Sequence, residues 1–369
     1  MDISRRVLLA APAGIVTAAA ASKTYRVYFG AYTRAGGKGI ATSSFDPSTG
    51  KLSAPELAAE IGNPSFLAIH PKGTHLFSVG EAGEGIVAAF AIQADGKLNK
   101  LNQKPTRGSS PCHLALDRTN RMLIVVNYAT GSTISYRLNA DLSLGDEGSF
   151  VEHKGSSVNA QRQTSPHAHS VNISKNNKWA VVADLGTDEY IVYAIDPATG
   201  KITRNGAAKA KPGVGPRHFH FHPSYKFAYG VNELGSSVTA FAWNERAGEL
   251  SELHTVSTLP SDFAGQSTCA EVLVHPNGRF VYASNRGHNS IASFSVDSTG
   301  KLTPVERTPS GGRIPRNFRI DPTGKWLLAA NQESSNVCVF RLDPLTGLLT
   351  PFGEPVSLSM PVCIRFLET

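Results

Sequence analysis

The sequence predicts an all-β protein folded as one seven-bladed β-propeller, and three observations carry that prediction. The first is local. Residues 215–234 read GPRHFHFHPSYKFAYGVNEL. Arg217, Phe219 and Phe221 alternate with His218, His220 and His222, the period of a strand, and a Pro-containing turn leads to a second apolar run from Phe227 to Val231. The second is repetition. The same unit starts at Pro64, Pro111, Ala168, Pro216, Cys269, Pro315 and Pro361, at spacings of 47, 57, 48, 53, 46 and 46 residues. A period of about 40–55 residues with several short strands per unit is that of propeller blades. The third is truncation. The seventh copy ends after its first strand, while residues 26–32, RVYFGAY, match a second strand. The C-terminal strand is therefore expected to pair with the N-terminal strands and close the ring, burying two edges.

Taken in order, residues 1–21 stand apart. Ser4-Arg5-Arg6 is followed by a short apolar stretch and a small-residue end, the parts of a twin-arginine export signal. Such a signal implies the export machinery as a partner and a periplasmic or secreted bacterial location. Its apolar run is too short to span a bilayer, so no stable membrane insertion is expected. Residues 24–369 form the propeller domain, with Tyr25 opening the first strand. After its first two strands each blade continues with a third and fourth, as in 85–101, GIVAAFAIQADGKLNKL. The hairpins around Gly50, Gly96, Gly200, Gly300 and Gly347 repeat one turn, with Gly supplying the positive φ. The 34 Gly and 22 Pro suit so many turns, and 41% hydrophobic with 18% charged residues is an ordinary soluble balance. The net charge of +7 comes from scattered residues, with no basic block and no basic–aromatic interleaving, which argues against nucleic acid and mildly favours an anionic small molecule.

Aligning the repeats separates scaffold from site. The His-Pro turns at His70, His222 and His275 recur and are scaffold, which weakens a metal reading of the His218–His220–His222 run. Cys112, Cys269, Cys338 and Cys363 form no Cys-x-x-Cys pair. Three of them open first strands, where core packing is expected. Two rings of variable positions remain at one rim. Just after each start stand Ser65, Cys112, His169, Arg217, Ala270, Arg316 and Val362. At the ends of the second strands stand Tyr32, Glu81, Tyr128, Leu185, Glu233, Arg286 and Gln332. A histidine, a carboxylate and three guanidiniums converging on one rim form a catalytic inventory.

The segments GPRHFHFHP, VNEL, PHAHSV and NRGHNSIASF, with the repeated His-Pro turns, resemble the seven-bladed propeller lactonases, a family of bacterial 6-phosphogluconolactonases and fungal carboxymuconate-lactonizing enzymes. The resemblance covers the whole chain after residue 24. It implies catalytic roles for His169, Arg217, Glu233 and Arg286, and Glu81, Tyr128, His167, Arg316 and Gln332 are expected to bind substrate. Lactone opening needs a base for water, charge stabilisation at the carbonyl oxygen and a proton for the leaving alkoxide. Glu233 or His169 could be the base and the other the acid, while Arg217 and Arg286 hold the anion through planar charged forks. On this reading Glu233→Gln costs activity but little stability, and Arg217→Lys weakens substrate binding. There is no Gly-x-Ser-x-Gly elbow and no acidic ligand set, so neither a serine esterase, a metal nor a cofactor is expected. A lactonizing isomerase of muconate-type acids and a non-catalytic binding propeller remain as alternatives. The export signal sets this chain apart from the cytoplasmic 6-phosphogluconolactonase.

Overall fold

A computed structural model describes residues 24–368, which form seven antiparallel sheets arranged as the blades of a ring, with no helix among the described residues. The expected export signal, residues 1–21, lies outside the described residues. Within a blade the strands run from the channel outward. In the fourth blade the order is Pro216–Phe221, Phe227–Asn232, Ser237–Asn244 and Glu249–Ser257. The second strand is covered on both faces by neighbouring blades, so it is continuously apolar rather than alternating. Met122–Asn127, MLIVVN, is buried at every position. The fourth strand is the edge and is mostly exposed, as in Lys201–Lys209.

The ring closes as the truncated repeat predicts. Pro361–Glu368 is the innermost strand of a sheet whose next members are Tyr25–Ala31 and Gly39–Asp46, and it pairs antiparallel with Tyr25–Ala31 along the full length of that strand. The outer edge of this blade is split into Lys51–Leu52 and Glu56–Glu60, both paired to Gly39–Asp46.

Blades are tied to one another by repeated contacts. Buried tyrosines of second strands donate across to hairpins of the next blade: Tyr229 to Gly300 O and Tyr282 to Gly347 O, each at 3.0 Å. The recurrent turn histidines work the same way. His222 and His275 accept a backbone N–H at Nδ1, from Ser224 and Asn277, and their Nε2 lies 2.8 Å from Gly278 O and Gly324 O of the neighbouring blade. All four cysteines are free and buried.

One irregularity positions the site. The first residue of an inner strand pairs normally, and the register then shifts at the next residue. Pro216 faces Asn232 but His218 faces Val231, so Arg217 is the extra residue of a β-bulge. The same shift isolates Cys112, His169, Arg316 and Val362. A bulge re-aims the extra side chain away from the ladder. Five of the seven first-ring positions are thus bulged residues.

Candidate active site

The two rings meet because the rim is built the same way in blade after blade. Backbone N–H groups of second-ring residues close back on the chain just before the first ring: Glu81 to Asn63 O, Tyr128 to Ser110 O, Glu233 to Gly215 O and Gln332 to Ile314 O. Asn63, Ser110, Gly215 and Ile314 all have positive φ. At Gly215 a Cβ would also meet the Leu234 side chain at 2.8 Å, so glycine is required where the GPRH segment turns into its strand.

At this rim a cavity of about 240 Å³ is lined by Tyr32, Glu81, Tyr128, Arg162, Glu233, Arg286 and the bulged Cys112, His169 and Arg316. Glu233 is its electrostatic centre. Its Oε1 accepts from Arg162 Nη2 at 2.8 Å, and its Oε2 lies 2.9 Å from Arg217 Nε and 2.8 Å from Arg286 Nη2. Burial alone would raise its pKa, but Arg286, Arg217 and Arg162 together hold the carboxyl far below the usual range. Arg217 is 1% exposed and also donates from Nη1 to Ala270 O. Burial and the neighbouring guanidiniums of Arg286 and Arg316 push it down to about 9, still a cation at neutral pH.

Arg316 is held differently. Its guanidinium lies over the Tyr32 ring, 5.4 Å from the centroid, and makes no hydrogen bond among the described residues. Tyr32 in turn donates to Glu81 Oε2 at 3.1 Å. Arg286 carries a buried Nε–H with no partner. The His169 Nδ1 lies 3.7 Å from Cys112 Sγ, and no hydrogen bond engages its Nε2 among the described residues. Burial first, then Arg217, His218 and Arg316, lower its pKa well below the ordinary value, so the imidazole is neutral at pH 7. Burial pushes the Cys112 thiol up, out of the range in which it would serve as a nucleophile.

The structure therefore brings together His169, Glu233, Arg286, Glu81, Tyr128 and Arg316 on one cavity. Three expected residues stand behind it. Arg217 lies under Glu233 and orients it. His167 stacks on Tyr128 at 4.5 Å and approaches Tyr128 O at 2.8 Å, so it supports that ring. Gln332 is 6% exposed and does not line the cavity. One lining residue had no place in the rings. Arg162 comes from the connection between the second and third blades, where it donates to Tyr128 Oη at 3.0 Å as well as to Glu233. The signal for it is the 57-residue repeat spacing, the longest in the chain, which marks an insertion at that rim.

The comparisons agree with this architecture. The family described as Lactonase, 7-bladed beta-propeller matches residues 26–366. A Bacillus subtilis protein named 6-phosphogluconolactonase is 39% identical over 347 residues, covering 93% of this chain and 99% of that one. A Formosa agariphila protein of the same name is 34% identical over 88% of this chain and 94% of its own. The structure of a periplasmic gluconolactonase of Pseudomonas aeruginosa superposes with a TM-score of 0.88 at 31% identity, covering 93% of this chain and 99% of that one. With its fold and ring closure in place, the chain belongs to the seven-bladed β-propeller lactonase family.

Proposed function

We propose that this protein is a lactonase that hydrolyses a sugar-type lactone, of the 6-phosphogluconolactone kind, by water attack at the ring carbonyl. One observation carries the reading: three guanidiniums and a neutral imidazole line a small cavity, a fourth guanidinium, Arg217, lies beneath it, and the Arg316 guanidinium has no acceptor among the described residues. Against Arg162, Arg217, Arg286 and Arg316 stand only Glu81 and Glu233, which favours an anionic ligand.

In this mechanism the carbonyl oxygen and the acid group of the substrate lie against Arg286 and Arg316. Their fixed charges stabilise the oxyanion as it forms, in a site largely screened from water. His169 Nε2 takes a proton from the attacking water. The ring C–O bond then breaks, and the same proton passes to the departing alkoxide, giving the open-chain hydroxy acid. Glu233, with both oxygens held by arginines, is a weak base. Its role here is to fix three guanidiniums in place. Of the two base candidates, this arrangement favours His169.

The export signal favours a location outside the cytoplasm, and the name of the Pseudomonas aeruginosa relative supports an unphosphorylated gluconolactone as a second substrate. Initial rates on 6-phosphogluconolactone, gluconolactone and a muconolactone test the reading. Hydrolysis of the sugar lactones well above the buffer rate is expected, with Arg316→Gln raising KM for the phosphorylated one at least tenfold. Failure on every lactone would overturn it. Replacing Arg5 and Arg6 by Lys is expected to retain the protein in the cytoplasm, and undiminished export of that variant would refute the twin-arginine signal.

A further inference from the structure

The opposite mouth of the channel holds a larger cavity, of about 530 Å³, that shares no lining residue with the candidate active site. A buried layer separates the two. Phe66 stacks on His113 at 3.7 Å, His113 meets His218 edge-on at 5.3 Å, and His218 Nδ1 lies 2.8 Å from Glu271 Oε1. Glu271 Oε2 accepts from Asn317 Nδ2, closing the layer.

Two residues beyond this layer on the inner strands stand Asn172, His220, Arg319 and Arg365, all lining the far cavity. Asn317 Oδ1 accepts from Ile364 N–H at 2.9 Å, which fixes the register of the sixth blade against the closing strand. That register puts Arg319 and Arg365 at the same level on adjacent inner strands. Neither forms an ion pair with a carboxylate among the described residues, although Glu271 lies within electrostatic reach of both. Arg319 makes no hydrogen bond or ion pair among the described residues. Arg365 donates only to the carbonyl of its own neighbour, Ile364, and lies over Phe66, 4.3 Å from the ring centroid.

The two carboxylates in the lining are already engaged. Asp117 accepts the N–H groups of Thr119, Arg121 and Met122 at its turn. Glu271 accepts from His218, Val272 and Asn317. Asn172 Nδ2 is a further donor, buried and without a partner. Burial first and then the nearby Arg365 push Arg319 down to about 10, and the Glu271 carboxylate opposes this without cancelling it. Leu116, Ile173 and Leu273 add apolar surface to the same lining.

We propose that the far mouth is a second ligand site, which binds a small organic anion with its carboxylate or phosphate on Arg319 and Arg365 and its carbon frame against Leu116, Ile173 and Leu273. Paired guanidiniums present a fork that matches either acid group, and the missing counter-charge is what the ligand supplies. The site is independent of the lactonase reading, because the two cavities share no lining residue.

Calorimetric titration of the full chain with phenyl phosphate at low salt tests it. Arg319→Gln and Arg365→Gln are each expected to weaken, at least tenfold, a binding event that Arg316→Gln leaves intact. Arg319→Gln should also leave lactone turnover unchanged and should not lower Tm, since it removes an unpaired cation. If Arg319→Gln does not fold, Arg319→Lys keeps the charge without the fork and should still weaken binding severalfold. Unchanged binding in the Arg319 and Arg365 variants overturns the proposal. So does loss of all phenyl phosphate binding in Arg316→Gln alone.

Discussion

At Glu233 three guanidiniums share two carboxylate oxygens, and only one of the three, Arg217, is fully buried. This changes what a substitution there should do. Glu233→Gln leaves Arg217 with a buried charge and no counter-ion, a change that costs about 3 kcal/mol or more in comparable buried pairs. The sequence reading expected a loss of activity at little cost in stability. The geometry predicts both losses together, with kcat down by at least about 10² because Arg286 is no longer anchored. Urea denaturation of the variant beside its kinetics checks this: wild-type stability with low activity would restore Glu233 as a simple proton acceptor. Arg217→Lys is expected to act in the same direction. A lysine can reach Glu233 or Ala270 O but cannot bond both through one planar fork, and because Arg217 does not line the cavity its effect falls on kcat more than on KM.

At the scale of elements, the blade-to-blade ties explain residues that have no place in the chemistry. Gly300 has φ +84°, and a Cβ there would meet the Phe227 ring at 2.4 Å, while its carbonyl accepts the Tyr229 hydroxyl. Gly300→Ala therefore strains the backbone and wedges two blades apart. A loss of about 1–3 kcal/mol is expected, with KM for lactone unchanged. A thermal melt showing no shift would contradict this account of the hairpins. Such features were legible in the sequence because they repeat: the spacing of Gly50, Gly96, Gly200, Gly300 and Gly347 and the His-Pro turns announces a shared role. The rim residues were legible for the opposite reason, as the positions at which repeats differ. What the alignment could not convey is side-chain direction. Gln332 and Glu233 hold equivalent places, yet one is tucked away and the other faces the cavity. Arg217 and Arg316 both sit on bulges, yet one is buried beneath a carboxylate and the other lies on Tyr32. Arg162 escaped because an insertion has no counterpart in the other blades.

For the whole molecule, the channel is a column of imidazoles kept neutral by the fold, and this makes stability depend on pH. His113, His169, His218 and His220 are all lowered first by burial; near charges add to this, from His218 at His113, Arg217 at His169, and Arg319 at His220, which reaches about 4. At His218 the nearby Glu271 opposes the shift without cancelling it. In the unfolded chain these groups protonate near pH 6.5. Below that pH the unfolded state takes up protons that the folded state does not, so stability falls as pH falls. Each histidine contributes a slope of up to about 1.4 kcal/mol per pH unit. Four such groups acting together would remove several kcal/mol between pH 6.5 and 5, a large part of an ordinary domain's stability of about 5–15 kcal/mol. Glu233 and Glu271, both lowered in the folded state, extend the loss below the ordinary carboxylate pKa. His169 meanwhile stays neutral, so the proposed base remains competent throughout this window. Stability and catalysis should therefore separate: the urea midpoint drops steeply from pH 7.5 to 5, whereas kcat measured on protein that is still folded holds nearly level. His220→Gln removes one of the four titrations and should flatten the stability curve without altering kcat. A urea midpoint that does not move between pH 7.5 and 5 would show that the channel imidazoles are not held neutral by the fold.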